Sequence, residues 1–256
     1  MPLGASVMHP FKPLLRWPPA KPHRGFVWEA AAGCVVYSIG GNNQWRFEQD
    51  ILAQTPCSVH TFDCTGPITR FRPPAHDRLY FHHVCLGAEH EDAVVTAKGC
   101  SKGDAGKCGP TWTLLEMQQN LGHKHVDLYK MDIEGFEWSI FESWPELFST
   151  SSESTSSGRQ VSLPLQLLVE VHYKTQFPVL WKPGMKSSDQ VFKDPEEIVQ
   201  LQEHLLRMGY IVVERDDNKF CPHCTELTLV RMKCSELASV IPKKELVAVG
   251  DSPKGL

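Results

Sequence analysis

No apolar run of about 18 residues occurs in the sequence, so nothing in it reads as a membrane-spanning helix. An excess of basic residues is missing too: 26 Lys and Arg stand against 30 Asp and Glu, for a net charge of −4. A general nucleic-acid footprint needs the opposite balance. The lysines of 98–107 and Lys243-Lys244 therefore read as solvated loop charge, and no nucleic-acid partner is expected. The phosphate-cradling G-x-G-x-x-G of a dinucleotide-dependent dehydrogenase is absent. So is the Asp-x-Asp motif of a metal-dependent glycosyl-transferring enzyme; Asp216-Asp217 falls in a hairpin region. Residues 1–22 hold prolines and scattered basic residues but no apolar h-region, so they do not read as a secretory leader.

Cysteine is plentiful. Nine are present, an odd count that cannot pair fully within the chain. Without a leader in view, the expectation is a cytoplasmic protein whose cysteines are mostly reduced core residues or free thiols. A leader or anchor upstream would move that expectation to the secretory pathway. Cys221-Pro-His-Cys224 is a lone C-x-x-C. Zinc there would need two more ligands, such as Cys100 and Cys108, and a disulfide is the alternative in an oxidising compartment. No metal is assigned.

The stretch 34–48 organises the rest. Val35-Val-Tyr-Ser-Ile39 is apolar and β-branched, the chain breaks at Gly40-Gly41, and a helix is expected over 44–53, capped by Asn42 or Asn43. Strand, glycine turn and helix in that order open a nucleotide-binding βα unit, with helix N–H groups facing the turn. The next strand, 59–63, ends in Asp63, about 20 residues after Gly41, the offset of an acid that grips a ribose.

Further strands are expected at 79–86, 126–132 and 165–172, with helices at 113–121 and 133–141 between them. Thr113-Leu-Leu-Glu116 matches a capping box. Asp194-Pro195 opens a helix that Gly209 ends, and strands 210–214 and 226–231 follow as a hairpin. Alternation gives a parallel sheet. The expected fold is therefore α/β: a Rossmann-like class I methyltransferase fold with a seven-stranded, mostly parallel sheet and a C-terminal antiparallel hairpin. The domain is expected to span 28–234, with a Pro-rich arm at 1–27, a serine-rich linker at 149–162 and a tail at 235–256.

Several blocks carry a family resemblance: Val-Val-Tyr-Ser-Ile-Gly-Gly at 35–41, Thr-Phe-Asp at 61–63, Leu-Tyr-Lys-Met-Asp-Ile-Glu-Gly-Phe-Glu-Trp at 128–138, Leu-Leu-Val-Glu-Val-His at 167–172 and Cys-Thr-Glu-Leu-Thr-Leu-Val-Arg at 224–231. Together they resemble the FkbM-related methyltransferases, in particular the methyltransferase-like protein 24 group. The resemblance covers roughly 30–235, and Lys-Met-Asp-Ile-Glu-Gly is its most specific part. It implies an S-adenosyl-L-methionine-dependent methyltransferase, O-directed, acting on a small-molecule or glycan-like acceptor. The chain departs from the usual class I pattern by placing Ser38, not an acid, near the end of strand one.

At the carboxyl ends of the strands, Ser38, Gly40, Gly41, Asp63 and Asp132 are expected to bind the cofactor. Asp132, Glu170 and His172 are the candidate bases for the acceptor's proton. Glu170 and His172, two apart, share a strand face. The acceptor is expected to enter over 173–193 and the 88–110 loop. An NAD-type oxidoreductase and a non-catalytic Rossmann-like binding module are the rival readings.

Overall fold

The computed structural model describes residues 33–90, 109–145, 162–173, 193–217 and 221–232. The expected arm at 1–27, the tail at 235–256, and most of the serine-rich linker and of the two acceptor loops lie outside the described residues.

The elements run β1 (Val35–Ile39), α1 (Arg46–Gln54), β2 (Ser58–Phe62), β3 (Leu79–His82), β4 (Cys85–Leu86), β5 (Thr111–Trp112), α2 (Leu114–Leu121), β6 (Leu128–Met131), α3 (Glu137–Ser143), β7 (Gln166–His172), α4 (Pro195–Arg207), β8 (Tyr210–Asp217) and β9 (Cys224–Arg231). Seven strands form one sheet in the order β3-β2-β1-β6-β7-β9-β8. β3, β2, β1, β6 and β7 pair in parallel, and β9 runs antiparallel to both β7 and β8. This is the expected fold, terminal hairpin included. The order reverses at β1, which places the ligand crevice of such a sheet outside the carboxyl ends of β1 and β6.

β1, β6 and β7 are buried along their whole length, as strands covered on both faces must be. Their side chains alternate between two apolar layers. On one face Ile51 and Leu52 of α1 pack on Val36, Val59, Leu128 and Leu168. On the other, Leu114, Met117, Trp138, Phe141, Leu201 and Leu205 of α2, α3 and α4 cover Tyr37, Tyr129, Val169 and Val171. Both expected capping boxes form, Thr113 with Glu116 and Asp194 with Glu197.

Three expectations need correction. First, α1 begins at Arg46, after Trp45, and neither asparagine caps it. Asn42 and Asn43 take positive φ, and their side chains are committed elsewhere: Arg70 donates to Asn42, while Trp45 Nε1 and the Arg72 N–H donate to Asn43. Trp45 is thereby held half-buried, edge-on to Phe81 of the edge strand β3. Second, 79–86 is not one strand. β3 stops at His82, and Cys85-Leu86 pairs with Thr111-Trp112 in a separate two-stranded sheet. Gly109 lies so close to the His83 carbonyl that a Cβ would sit 1.8 Å from its oxygen.

Third, six cysteines are paired, not reduced: Cys34–Cys57, Cys64–Cys85 and Cys221–Cys224. The sheet register explains the first. Cys34 and Cys57 each precede a strand, and Val35 is the partner of Ser58, so the two cysteines stand side by side with Cα atoms 4.6 Å apart. Among the described residues, no helix is long and apolar enough to cross a membrane.

Candidate active site

The glycine turn and the second-strand acid meet as the sequence predicts. Gly40 donates to the Phe62 carbonyl at 3.0 Å, so the turn leaves β1 directly above the end of β2. Asp63 follows and is buried. The Asn42 N–H donates to its Oδ2 at 2.8 Å, and the Thr65 N–H and hydroxyl donate to Oδ1 at 2.9 and 2.5 Å. Each carboxylate oxygen accepts about two hydrogen bonds, so one acceptor position on Oδ2 is left for a ligand. The acid expected to grip a ribose is thus already engaged in shaping the turn.

Gly40 has a φ of +80°, and a Cβ there would lie 1.9 Å from the Asp132 carbonyl oxygen. This glycine is required because the backbones at the ends of β1 and β6 touch. Gly41 is less constrained: its Cβ would meet Thr61 Cγ2 at 3.2 Å. Ser38 is fully buried beneath the turn and donates to Glu48 Oε1 at 2.7 Å. Glu48 Oε2 is buried with no hydrogen-bond partner among the described residues. Strand one lacks an acid, and α1 supplies a buried one behind the glycines.

A second group lies at the ends of β6 and β7. Register pairs Glu170 of β7 with Glu226 of β9, and His172 with Cys224. Paired residues share a face. Asp132 is half-buried and hydrogen-bonds with Glu170. Burial pushes the Asp132 carboxyl above the usual carboxylate range, against the opposing pull of Lys130 and His172. Burial, then the charges of Glu170, Asp216 and Asp132, push Glu226 up to about 7. For His172 burial alone would favour the neutral ring. Glu137 outweighs it by charge and hydrogen bond, with Asp132 and Glu170 adding, and the imidazole is pushed up to about 10. His172 Nδ1 lies 3.2 Å from Glu137 Oε1, which also accepts from the Ile133 and Gly135 N–H groups. The His172 carbonyl accepts from Trp138 Nε1 at 2.8 Å.

Gly40 thus abuts the Asp132 backbone, the turn after Gly41 is bonded to Asp63, Glu170 and His172 interact with Asp132, and Ser38 is buried against Glu48. The sequence reading missed Glu48, Glu137 and Glu226. Glu226 was legible as an inward position of an alternating strand. Glu48 and Glu137 sit in helix first turns, where an acid ordinarily serves the helix dipole, and only tertiary contacts set them apart. The Lys193 N–H donates to the Tyr173 carbonyl, and its ammonium lies 4.8 Å from the centre of the Trp138 ring. Both ends of 174–192 therefore stand beside this group.

Known proteins resemble this chain to different degrees. A solved Methanococcus jannaschii fibrillarin pre-rRNA processing protein aligns with 80% of this chain and 70% of its own, at 12% identity and a TM-score of 0.40. Burkholderia thailandensis 1,6-didemethyltoxoflavin-N1-methyltransferase, solved with S-adenosylhomocysteine, aligns with 80% of this chain and 73% of its own, at 12% identity and a TM-score of 0.37. At those scores the fold assignment rests on the strand order instead. The human probable methyltransferase-like protein 24 is 28% identical over 112 residues, which are 43% of this chain and 28% of that protein's length. A family profile described as "Methyltransferase domain" matches residues 16–231. The strand order and the match across most of the sequence agree, and the chain belongs to that methyltransferase-domain family.

Proposed function

We propose that this chain is an S-adenosylmethionine-dependent methyltransferase that methylates a hydroxyl on a small-molecule or glycan-like acceptor. One observation carries the reading: the glycine turn and Asp63 are hydrogen-bonded to each other at the edge where the strand order reverses. The bound cofactor supplies an electrophilic methyl carbon on a cationic sulfonium. Gly40 and Gly41 keep side chains out of its approach, and Asp63 offers its remaining acceptor position to a sugar hydroxyl. Asp132 would lie beside the cofactor's methyl group, and its raised pKa suits it to take the acceptor's proton. With its pKa pushed up to about 10, His172 is better suited to position Glu137, its hydrogen-bond partner, than to act as that base.

The acids that surround this region favour a cationic cofactor and repel a polyphosphate chain. That supports a small acceptor over nucleic acid. The disulfides support an oxidising compartment over the cytoplasm.

The test is calorimetric titration of the whole chain with S-adenosylhomocysteine, followed by methyl transfer to a panel of hydroxyl acceptors. Binding is expected, and Asp132→Asn is expected to retain it while slowing transfer about 100-fold or more. Binding of NADH instead would favour the oxidoreductase. A folded chain that binds neither would favour the non-catalytic module, the reading that the engagement of Asp63 with its own turn keeps open.

A further inference from the structure

Glu170, His172, Cys221 and Cys224 are all buried, and each offers one ligand atom within 4.8 Å of the others. The sheet assembles them. His172 stands opposite Cys224 across the β7–β9 ladder, and Glu170 lies two residues back on the same face. A turn closed by the Cys224 N–H on the Cys221 carbonyl, at 3.0 Å, brings the second sulfur round.

Two sulfurs, one imidazole and one carboxylate form the donor set of a borderline-soft, four-coordinate ion. Calcium and magnesium, which take oxygen, do not fit it. In a tetrahedral zinc site with metal–sulfur bonds of about 2.3 Å, the ligand atoms stand about 3.8 Å apart. The widest-spaced of these atoms need to close by about 1 Å at most to reach that spacing, and the two sulfurs move apart to it once the bond between them is broken. His172 Nδ1 is already held by Glu137 Oε1 at 3.2 Å. A carboxylate on one ring nitrogen is the arrangement that fixes a histidine to present the other to a metal. Glu137 is itself anchored by two backbone N–H groups. The two sulfurs are bonded to each other as a disulfide, which closes the site.

We propose that Glu170, His172, Cys221 and Cys224 bind Zn²⁺ when the Cys221–Cys224 disulfide is reduced, and that the site closes when the disulfide re-forms. Opening takes two electrons and two protons from a thiol reductant of the dithiol class, which becomes a disulfide as the S–S bond breaks. Zn²⁺ then displaces the two thiol protons and one ring proton of His172 to solvent, forming two metal–thiolate bonds and one bond each to the imidazole and the Glu170 carboxylate. Closure releases the ion and returns two electrons to an oxidised dithiol. The proposal does not rest on the methyltransferase reading, and failure of S-adenosylhomocysteine to bind would leave it untouched.

Cobalt(II) is the probe. The whole chain is reduced with a phosphine, which becomes a phosphine oxide at the expense of water, and is desalted under nitrogen. Its fold is checked by circular dichroism. Titration is expected to give one ion per chain, with a sulfur-to-cobalt charge-transfer band and the strong visible bands of a tetrahedral ion, both bleached by Zn²⁺. Oxidised protein and Cys221→Ser/Cys224→Ser are expected to show neither. Glu137→Gln is expected to weaken binding about 10- to 100-fold. Absence of the bands from folded, reduced protein overturns the proposal, as do equal bands from the double serine variant, which would place the ion on the other cysteines. Reduction also opens the other disulfides. If it unfolds the chain, Cys221→His/Cys224→His decides, since it needs no reductant: cobalt binding there supports the site, and its absence overturns it.

Discussion

Gly40 shows how one residue can serve packing and function together. Its positive φ and the 1.9 Å approach of a Cβ to the Asp132 carbonyl oxygen leave no room for a side chain. Gly40→Ala is expected to lose about 3 kcal/mol or more in urea denaturation, from backbone strain plus the forced separation of β1 and β6. A loss below about 1 kcal/mol would mean that the two strand ends can part freely. Tyr129 is the opposite case. Its ring is fully buried, and its hydroxyl has no hydrogen-bond partner among the described residues. An unpaired buried hydroxyl costs about 1–3 kcal/mol of desolvation. Tyr129→Phe should therefore leave stability unchanged or raise it by about 1 kcal/mol. A clear drop in the melting midpoint would reveal a partner for that oxygen.

At the scale of elements, the α2-side face of β1, β2 and β3 gathers a histidine cluster that no spacing announced. His60 Nδ1 lies 3.0 Å from His82 Nε2, the two rings stack, and Tyr37 Oη lies 2.7 Å from His123 Nδ1. Tyr80 stacks on His60 from the neighbouring strand. Burial lowers the pKa of all three histidines, repulsion adds to it, from His123 on His60 and His82, from His82 on His60 and from His125 on His123, and His60 is brought down to about 3. The unfolded chain therefore takes up protons near 6.5 that the folded one refuses. The stability this cluster contributes is untouched well above that pH and falls as pH drops through it. His60 alone contributes a slope of about 1.4 kcal/mol per pH unit down to its folded pKa. The raised His172 and Glu226 act in the opposite direction, so the comparison decides: between pH 8 and 5 the urea midpoint of His60→Gln is expected to fall less, or rise more, than that of the parent chain. Equal slopes for the two proteins would remove the cluster from the explanation.

For the whole molecule, each disulfide joins segments that the fold brings side by side. Cys34–Cys57 spans 23 residues and ties the starts of β1 and β2 together. Cys34→Ala/Cys57→Ala is expected to cost about 2–4 kcal/mol in guanidinium denaturation, and a negligible cost would show that the strand register holds these ends unaided. Much of this architecture was legible in advance. Apolar β-branched runs at 35–39 and 165–172, a capping box at Thr113 and proline behind Asp194 are local signals, and each became the element it predicts. The hairpin was readable for the same reason. Sequence distance hid the rest. Cysteine spacing carries no pairing code, so Cys34 meets Cys57 only because β1 and β2 run parallel in one register. The offset puts Asp63 at the end of the second strand, beside the glycine turn, but its engagement by Asn42 and Thr65 follows from how the turn folds back. Local chemistry determined the strands, the helices and the glycine turn, because each depends on residues a few positions apart. Tertiary structure alone decided which acids became buried partners, which histidines share a face and which cysteines touch, because those depend on strand order and register.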